Sequence, residues 1–410
     1  MQDMNILFLS VGDLPDLSVD SMYPDLLRYF REEGHEVYVI CPSERRNGQP
    51  TRLSVEYEIT VLRVKTYNIT KSNWFEKGIA TQLIGGQYKK AIHKYLKGVK
   101  FDLLLYATPP ITLVHLIQYL KKRDNAYSYL MLKDIFPQNA IDLGILKKRG
   151  PFSCITKYYR YLEKKLYLCS DKIGCMSRNN LLYLQKRHSY LDPNRIEICP
   201  NTRDSLKVLS EGRIEVRKAF GLPVDKIIFI CGGNFGKPQN VDFIIEVLKA
   251  NEGANDRHFV FCGSGTDFNK LQEYEASLEV KHVTVLNSLD NEVYTTLLAA
   301  SDIGLLFLDF RFTFSNFPSR SLDYMAVGMP IVAATNVKND VGRLIKKEKL
   351  GWWCSSKDIK KLKELLDKIC ENPEKINDMR KRSHSYFLQH FDTKIAFEII
   401  MTSYQAGKKL

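Results

Sequence analysis

The 410-residue sequence has no Cys-x-x-Cys pair and no zinc-type spacing of cysteine and histidine, and its nine cysteines are an odd number. A disulfide or metal framework therefore does not organise it. Cys41, Cys175, Cys199, Cys231 and Cys262 sit in or beside apolar runs, where a thiol behaves as a small hydrophobe in a reducing compartment. No segment is low in complexity, which excludes repeat-driven disorder. The start, Met1 to Ser10, lacks a basic stretch followed by a signal-type apolar core, and reads as a first strand. The longest uncharged span, Leu103 to Leu120, is divided by Pro109-Pro110, so a strand, a turn and a short buried helix fit it better than a membrane span.

Acidic residues are scarce in one region only. Between Lys65 and Lys165 there are 19 Lys plus Arg against 6 Asp plus Glu, a surplus of +13 that equals the net charge of the whole chain. Such a patch suits nucleic acid, anionic lipid headgroups or a polyanionic substrate. Nucleic acid is disfavoured, because a Gly-rich aromatic sheet motif and a zinc pattern are both lacking. Within the region Tyr88, Ile92, Tyr95, Leu96 and Val99 share one helical face, while Lys89, Lys90, Lys94 and Lys97 lie on others. This is either an ordinary surface helix or one whose lysines face headgroups, with Trp74 and Phe75 as interfacial anchors.

What is present is a strand–helix alternation long enough for two domains of roughly 200 residues each. Asn5 to Val11 reads as a strand, Met22, Leu26, Leu27 and Phe30 recur at helical spacing, and Gly34-His35 turns the chain into Val37 to Cys41. His35 is open to two readings, a structural turn residue and a catalyst. Asp134 follows the strand Tyr127 to Leu132, at the carboxyl end where α/β proteins place ligands. Two readings stay open for it, contact with an acceptor hydroxyl as base or orienting group, and capping of the next turn.

The rhythm restarts at Lys226 to Cys231, where Gly232-Gly233-Asn234-Phe235-Gly236-Lys237 leads toward a helix from Phe243. Glycines there let backbone amides approach a diphosphate, and Lys237 supplies charge. Between the apolar runs Ile303–Leu308 and Ile331–Ala334 lies the stretch 314–330. Pro318 suits a first helical position and Gly328 a stop. The amides of Ser319 and Arg320 then favour an anion, with the Asp323 carboxylate one turn on for ribose hydroxyls. A purely structural helix start is the alternative reading.

Stretch 314–330 resembles the donor-binding signature of GT-B glycosyltransferases, in particular retaining family four, where Glu-x7-Glu or Pro-Ser-Lys-x-x-Glu-Tyr stands. In this chain Ser315 occupies the first Glu position, Arg320 the Lys position and Asp323 the second Glu position. Arg31 to Val37 resembles the family's opening, and Pro200-Asn201-Thr202-Arg203-Asp204 its hinge. Gly233 to Lys237 is similar to a Gly-Asn-Leu-Gly-Lys form, and Gly263-Ser264-Gly265 to the strand end beside the nucleobase. Lys133 to Ala140 with Leu143-Gly144 resembles a segment of enzymes that build bacterial surface polysaccharides, including the fucosaminyltransferase-like branch. Phe391-Asp392-Thr393 is similar to the start of the family's final helix.

The resemblance implies an α/β GT-B fold, two Rossmann-like doubly wound domains facing a cleft. Residues 1–202 would form an acceptor and membrane-facing domain, 203–385 a sugar-nucleotide domain, and 386–410 a helix returning to the first. The implied reaction transfers a hexose or amino-hexose, with retention, from a nucleotide sugar, UDP-linked by expectation. The acceptor is a hydroxyl of a polyprenyl-diphosphate-linked oligosaccharide, as in capsule or O-antigen synthesis. Implied donor contacts are Gly12, Gly233, Asn234, Lys237, Gly263, Ser315, Asn316, Pro318, Ser319, Arg320 and Asp323. Asp134, Lys237 and Arg320 carry the chemistry, and no metal or other cofactor is expected. The expected location is cytoplasmic, peripheral on the inner face of an anionic membrane. A UDP-sugar 2-epimerase shares the architecture, but the paired acidic residues and histidines of its cleft are not seen.

Overall fold

The computed structural model describes residues 3–12, 14, 16–70, 72, 74–142, 144–151, 153–206, 212–311 and 317–408, without the side chains of Trp74 and Phe75. The chain divides into two compact units, Met1–Pro200 with Thr393–Leu410, and Asn201–Asp392.

The first unit holds strands β1 (Asn5–Leu9), β2 (Glu36–Glu44), β3 (Arg52–Glu56), β4 (Ile59–Thr66), β5 (Leu103–Ala107), β6 (Tyr127–Leu132), β7 (Lys172–Cys175) and β8 (Ile196–Ile198). They form one sheet in the order β3-β4-β2-β1-β5-β6-β7-β8, parallel except for the β3–β4 hairpin. The inner strands read as unbroken apolar runs because helices cover both faces of a parallel sheet. Leu103, Leu104 and Leu105 of β5 are fully buried, as are Tyr129, Leu130 and Leu132 of β6. The closing helix Thr393–Lys408 belongs to this unit: Phe397 packs edge-on against Phe30, ring centroids 4.9 Å apart. His35 is buried beside both rings, and burial pushes its imidazole pKa down, which makes it a core residue.

The span 103–120 resolves into β5, a 3₁₀ turn Ile111–Leu113 and the helix Val114–Asp124. The lysine-bearing helix differs from the sequence reading, running from Trp74 to Tyr95 rather than from Tyr88 to Lys100. Tertiary contacts hold the Gly85-Gly86 region helical: Thr112 Oγ1 donates to Thr81 O at 2.5 Å, and a Cβ on Gly85 would touch Leu116 and Thr112 at 3.9 Å. Tyr88, Ile92 and Leu96 are buried while Lys89, Lys90, Lys94 and Lys97 are exposed, so the apolar stripe faces inward.

The second unit holds β9 (Ile227–Asn234), β10 (Arg257–Ser264), β11 (Val283–Asn287), β12 (Ile303–Phe307), β13 (Ile331–Thr335) and β14 (Gly351–Ser355). The sheet is wholly parallel, in the order β11-β10-β9-β12-β13-β14. Succession runs outward from β9 to β11, then returns to β12 on the other side of β9. The carboxyl ends of β9 and β12 therefore flank the topological switch point, the crevice where open α/β sheets bind ligands. In the first unit the equivalent reversal falls between β1 and β5.

Candidate functional site

At the switch point of the second unit, β9 ends in Cys231-Gly232-Gly233-Asn234 and passes into a turn held by one apolar anchor. Phe235 is fully buried between Phe261 and Phe268, at centroid distances of 5.9 and 5.5 Å. Burying such a ring stabilises by roughly 1.5–3 kcal/mol, enough to anchor a turn that also carries exposed residues. Gly233, Asn234 and Lys237 flank it and are exposed. Gln239 closes the turn, its Oε1 accepting from Gly236 N at 3.1 Å, and Asn240 caps the next helix, accepting from Phe243 N at 3.4 Å.

Close backbone approach explains the glycines. Gly263 of β10 lies beside Gly233 of β9 in register, and a Cβ on it would stand 1.9 Å from Gly233 O. Gly233 has φ +105, which side-chain-bearing residues rarely adopt.

Across the crevice, β12 exits through Leu308 and Asp309 to the helix Arg320–Ala326. Asp309 N donates to Pro238 O at 2.8 Å, which ties this exit to the Lys237 turn. The buried Asp309 carboxylate takes the exposed Arg311 side chain at 2.6 Å. Ser315 and Asn316 lie outside the described residues. The helix starts later than the Pro-first reading expects: Ser319 is its N-cap and Arg320 its first residue. The cause is a tight 3₁₀-like turn before it, with Ser321 N and Ser321 Oγ both donating to Pro318 O (3.0 and 2.6 Å) and Leu322 N to Ser319 O (2.8 Å). Ser319 is exposed and Pro318 half-buried.

Arg320 reaches from this helix to the glycine turn. Its Nη2 donates to Asn234 O at 3.0 Å, its Nη1 lies 3.4 Å from Cys231 Sγ, and the guanidinium stands 5.8 Å from the Phe235 ring centroid. Tyr324, fully buried against Gly304, accepts from Gly232 N and donates to Leu305 O, both at 3.2 Å. The helix is thereby locked to both β9 and β12. Asp323 stands in its first turn, half-buried, and ion-pairs with Arg203. Burial pushes its carboxyl pKa up, while the Arg203 and Arg320 charges oppose that rise.

In the first unit Gly12 lies just past β1, where Ser10 Oγ donates to Gly12 O at 2.8 Å. Tyr88 Oη donates to Ser10 O at 2.7 Å, so the 74–95 helix braces this corner. Asp134 follows β6, its Oδ1 accepting from Asn139 Nδ2 at 3.2 Å and its carbonyl from Thr108 Oγ1 at 3.0 Å. Burial and the Asp134 charge push the Tyr23 hydroxyl pKa up, and burial lowers the neighbouring Lys133 ammonium to about 8.

Gly233, Asn234, Lys237, Gly263, Arg320 and Asp323 thus gather at one carboxyl edge, and Gly12 and Asp134 at that of the other sheet. Sequence reasoning missed Arg203, Cys231, Asp309, Tyr294 and Tyr324. Arg203 and Tyr324 left a trace as members of the hinge and signature motifs, whereas Tyr294 shows in the structure alone, where a Cβ on Gly232 would stand 1.8 Å from its hydroxyl.

Two doubly wound α/β units, the second with a glycine turn and a helix start meeting at its switch point, define the GT-B class of folds. Solved structures agree in fold. The chain superposes on sucrose-phosphate synthase from Thermosynechococcus elongatus with TM-score 0.75 at 15% identity, covering 99% of this chain and 100% of that one. With HepE of Anabaena, solved in complex with UDP-glucose, the values are 0.69, 13%, 97% and 99%. A curated relative, "Probable glycosyltransferase WbjE" of Pseudomonas aeruginosa, is 25% identical over 274 residues, and the match spans 66% of each chain. Residues 212–385 match the model of the family described as glycosyl transferases group 1.

Proposed function

We propose that the chain transfers a hexose or amino-hexose from a UDP-sugar to a hydroxyl of a lipid-linked oligosaccharide, with retention, in bacterial surface-polysaccharide synthesis. The observation that carries the donor half of this reading is the convergence of Arg320 on the glycine turn at the β9/β12 switch point, Nη2 3.0 Å from Asn234 O. That arrangement offers a fixed guanidinium, the exposed Lys237 ammonium and glycine backbone to a diphosphate, with the Asp323 carboxylate near enough in sequence to serve the ribose. The UDP-glucose in the HepE complex supports a uridine nucleotide.

As the bond from the sugar C1 to the diphosphate oxygen breaks, negative charge builds on the leaving group. Lys237 and Arg320 stabilise it, without a metal, and the departing diphosphate oxygen takes the acceptor proton on the same face. Asp134 orients the acceptor hydroxyl, whose oxygen forms the new bond to C1 as the diphosphate leaves. Retention rests on the family resemblance.

The exposed lysines of the 74–95 helix lie near apolar side chains in water: Ile79 and Leu83 on that helix, and Tyr158 and Tyr161 on Ser153–Cys169. Tyr158 Oη donates to Gln82 Oε1 at 2.7 Å and joins the two helices. A cationic surface studded with exposed apolar groups suits an anionic bilayer face, and we place the acceptor there. No helix among the described residues is long and apolar enough to cross a membrane.

Incubation with a panel of sugar nucleotides, read by release of nucleoside diphosphate and by calorimetric binding, tests the reading. One donor should be hydrolysed slowly without acceptor. Neither turnover nor binding for any member of the panel would overturn it.

A further inference from the structure

We infer that Arg203 is a positioning residue of the donor site, holding the Asp323 carboxylate as the acceptor for the ribose hydroxyls of the nucleotide. The inference rests on the donor reading above.

Arg203 lies 120 positions before Asp323, in the segment that opens the second unit, yet both side chains of the ion pair are largely out of water, at 10% and 17% exposure. Its backbone is pinned independently. Arg203 N donates to Phe391 O at 2.9 Å, and the residue forms a parallel bridge with Asp392. Two residues earlier, Asn201 Nδ2 donates to Phe317 O at 3.0 Å, and the Phe317 ring lies 5.1 Å from that of Phe391. Segments 201–203 and 391–392 therefore brace the corner 317–323 from behind.

The two arginines near Asp323 do separate work. Arg320 is committed to Asn234 O and Cys231 Sγ, while Arg203 takes the carboxylate itself. Among the described residues, the hydroxyls of Tyr294 and Tyr324 also feel the Asp323 charge, and both stay neutral. The helix Glu374–His390, packed on the same element, presents Arg380 and His384, which bond Ser301 O and Ala326 O. Without Arg203, the charge among the described residues that still opposes burial of the carboxylate is that of Arg320, which makes no ion pair with it. A carboxylate is acceptor-only, as a ribose diol requires, whereas a protonated carboxyl is in part a donor.

The test is UDP affinity by calorimetry between about pH 5.5 and 8.5 for wild type, Arg203→Met, Arg203→Lys and Asp323→Asn, with melting temperatures alongside. Wild type sets the reference profile, which already carries the titration of UDP's own terminal phosphate near pH ~6, and the variants are read relative to it. Arg203→Met should weaken about tenfold for each unit that the Asp323 pKa rises above the working pH, and recover toward pH 8.5. Arg203→Lys should restore the wild-type profile, and Asp323→Asn should be weak at every pH. If Arg203→Met does not fold, Arg203→Gln reads the same way.

An Arg203→Met or Arg203→Gln profile that matches wild type would overturn the inference. So would a loss uniform with pH that tracks a fall in melting temperature, since that assigns Arg203 to the fold alone. Wild-type affinity in Asp323→Asn would instead overturn the ribose role on which the inference rests.

Discussion

Gly263→Ala tests whether the glycine turn and its neighbouring strand form one rigid floor beneath the donor. A Cβ at this position would stand 1.9 Å from Gly233 O and 2.9 Å from Gly233 C, where real Cβ contacts under 3.0 Å are essentially never seen. The obstacle is backbone of a paired strand, so it cannot rotate aside as a side chain would. The ends of β9 and β10 must part by about an ångström, which strains the pairs Gly263–Gly233 and Ser264–Asn234 and the 2.7 Å bond from Phe235 N to Ser264 O. Overpacking costs about 1–3 kcal/mol and a lost hydrogen bond about 1 kcal/mol, for a total of ~2–4 kcal/mol. For a unit of this size that lowers the melting temperature by roughly 5–15 °C. The same displacement moves Gly233 and Lys237 relative to Arg320, and an ångström at a reacting centre costs on the order of 10²-fold in turnover. Scanning calorimetry and UDP titration read the two effects. Gly236→Ala is the control, because its Cβ would meet the side chain Thr266 Oγ1 at 3.1 Å, which can turn away. A Gly263→Ala protein that melts and binds UDP like wild type would refute the reasoning.

Other perturbations separate charge from geometry. Arg320→Lys keeps the charge but cannot hold Asn234 O and Cys231 Sγ together; UDP affinity should fall about tenfold, and Arg320→Met should lower turnover by a further ~10²-fold, unless Arg320 never meets the diphosphate, when UDP affinity stays level. Burial depresses the imidazoles of His188 and His258 to about 4, so the folded chain holds them neutral while the unfolded chain protonates near pH 6.5. Their burial costs nothing above that pH and a growing amount down to about pH 4, so urea midpoints should fall across this window and His258→Gln should flatten the slope; an unchanged slope would count against it. Charge reversal of Lys89, Lys90 and Lys94, each worth ~1 kcal/mol at an anionic surface, should abolish sedimentation with phosphatidylglycerol vesicles at low salt, and equal sedimentation of variant and wild type would remove these residues from the membrane face.

The legible parts of this molecule are those set by neighbours in sequence. β9, β12 and β13 announce themselves because a strand buried on both faces must be apolar throughout, and the glycines before Lys237 mark a turn where backbone must approach backbone. The helix start was legible as an event but misplaced. Pro318 satisfies the composition of a first helical position, yet the Ser321 hydroxyl turns back to Pro318 O and delays the helix to Arg320. Helix Trp74–Tyr95 was cut short in the reading for the opposite reason, since Gly85-Gly86 lowers local propensity and tertiary contacts, those to 112–116 among them, restore it.

What stayed hidden is what couples distant positions. Arg203 reads locally as one more residue of a hinge motif, and its charge gains meaning only when folding brings it to Asp323. The same holds for Tyr324, whose one hydroxyl joins β9 and β12, and for Asp309, whose amide reaches the Lys237 turn. These three contacts make the crevice rigid, while the motif residues Gly233, Lys237 and Arg320 supply what a nucleotide would touch. A pattern search finds the second set because chemistry restricts its residue types. The first set is restricted only by geometry, so any side chain that spans the gap with the right donor or acceptor will serve. Variation there should tune how firmly the donor site is held without changing which class of donor it takes.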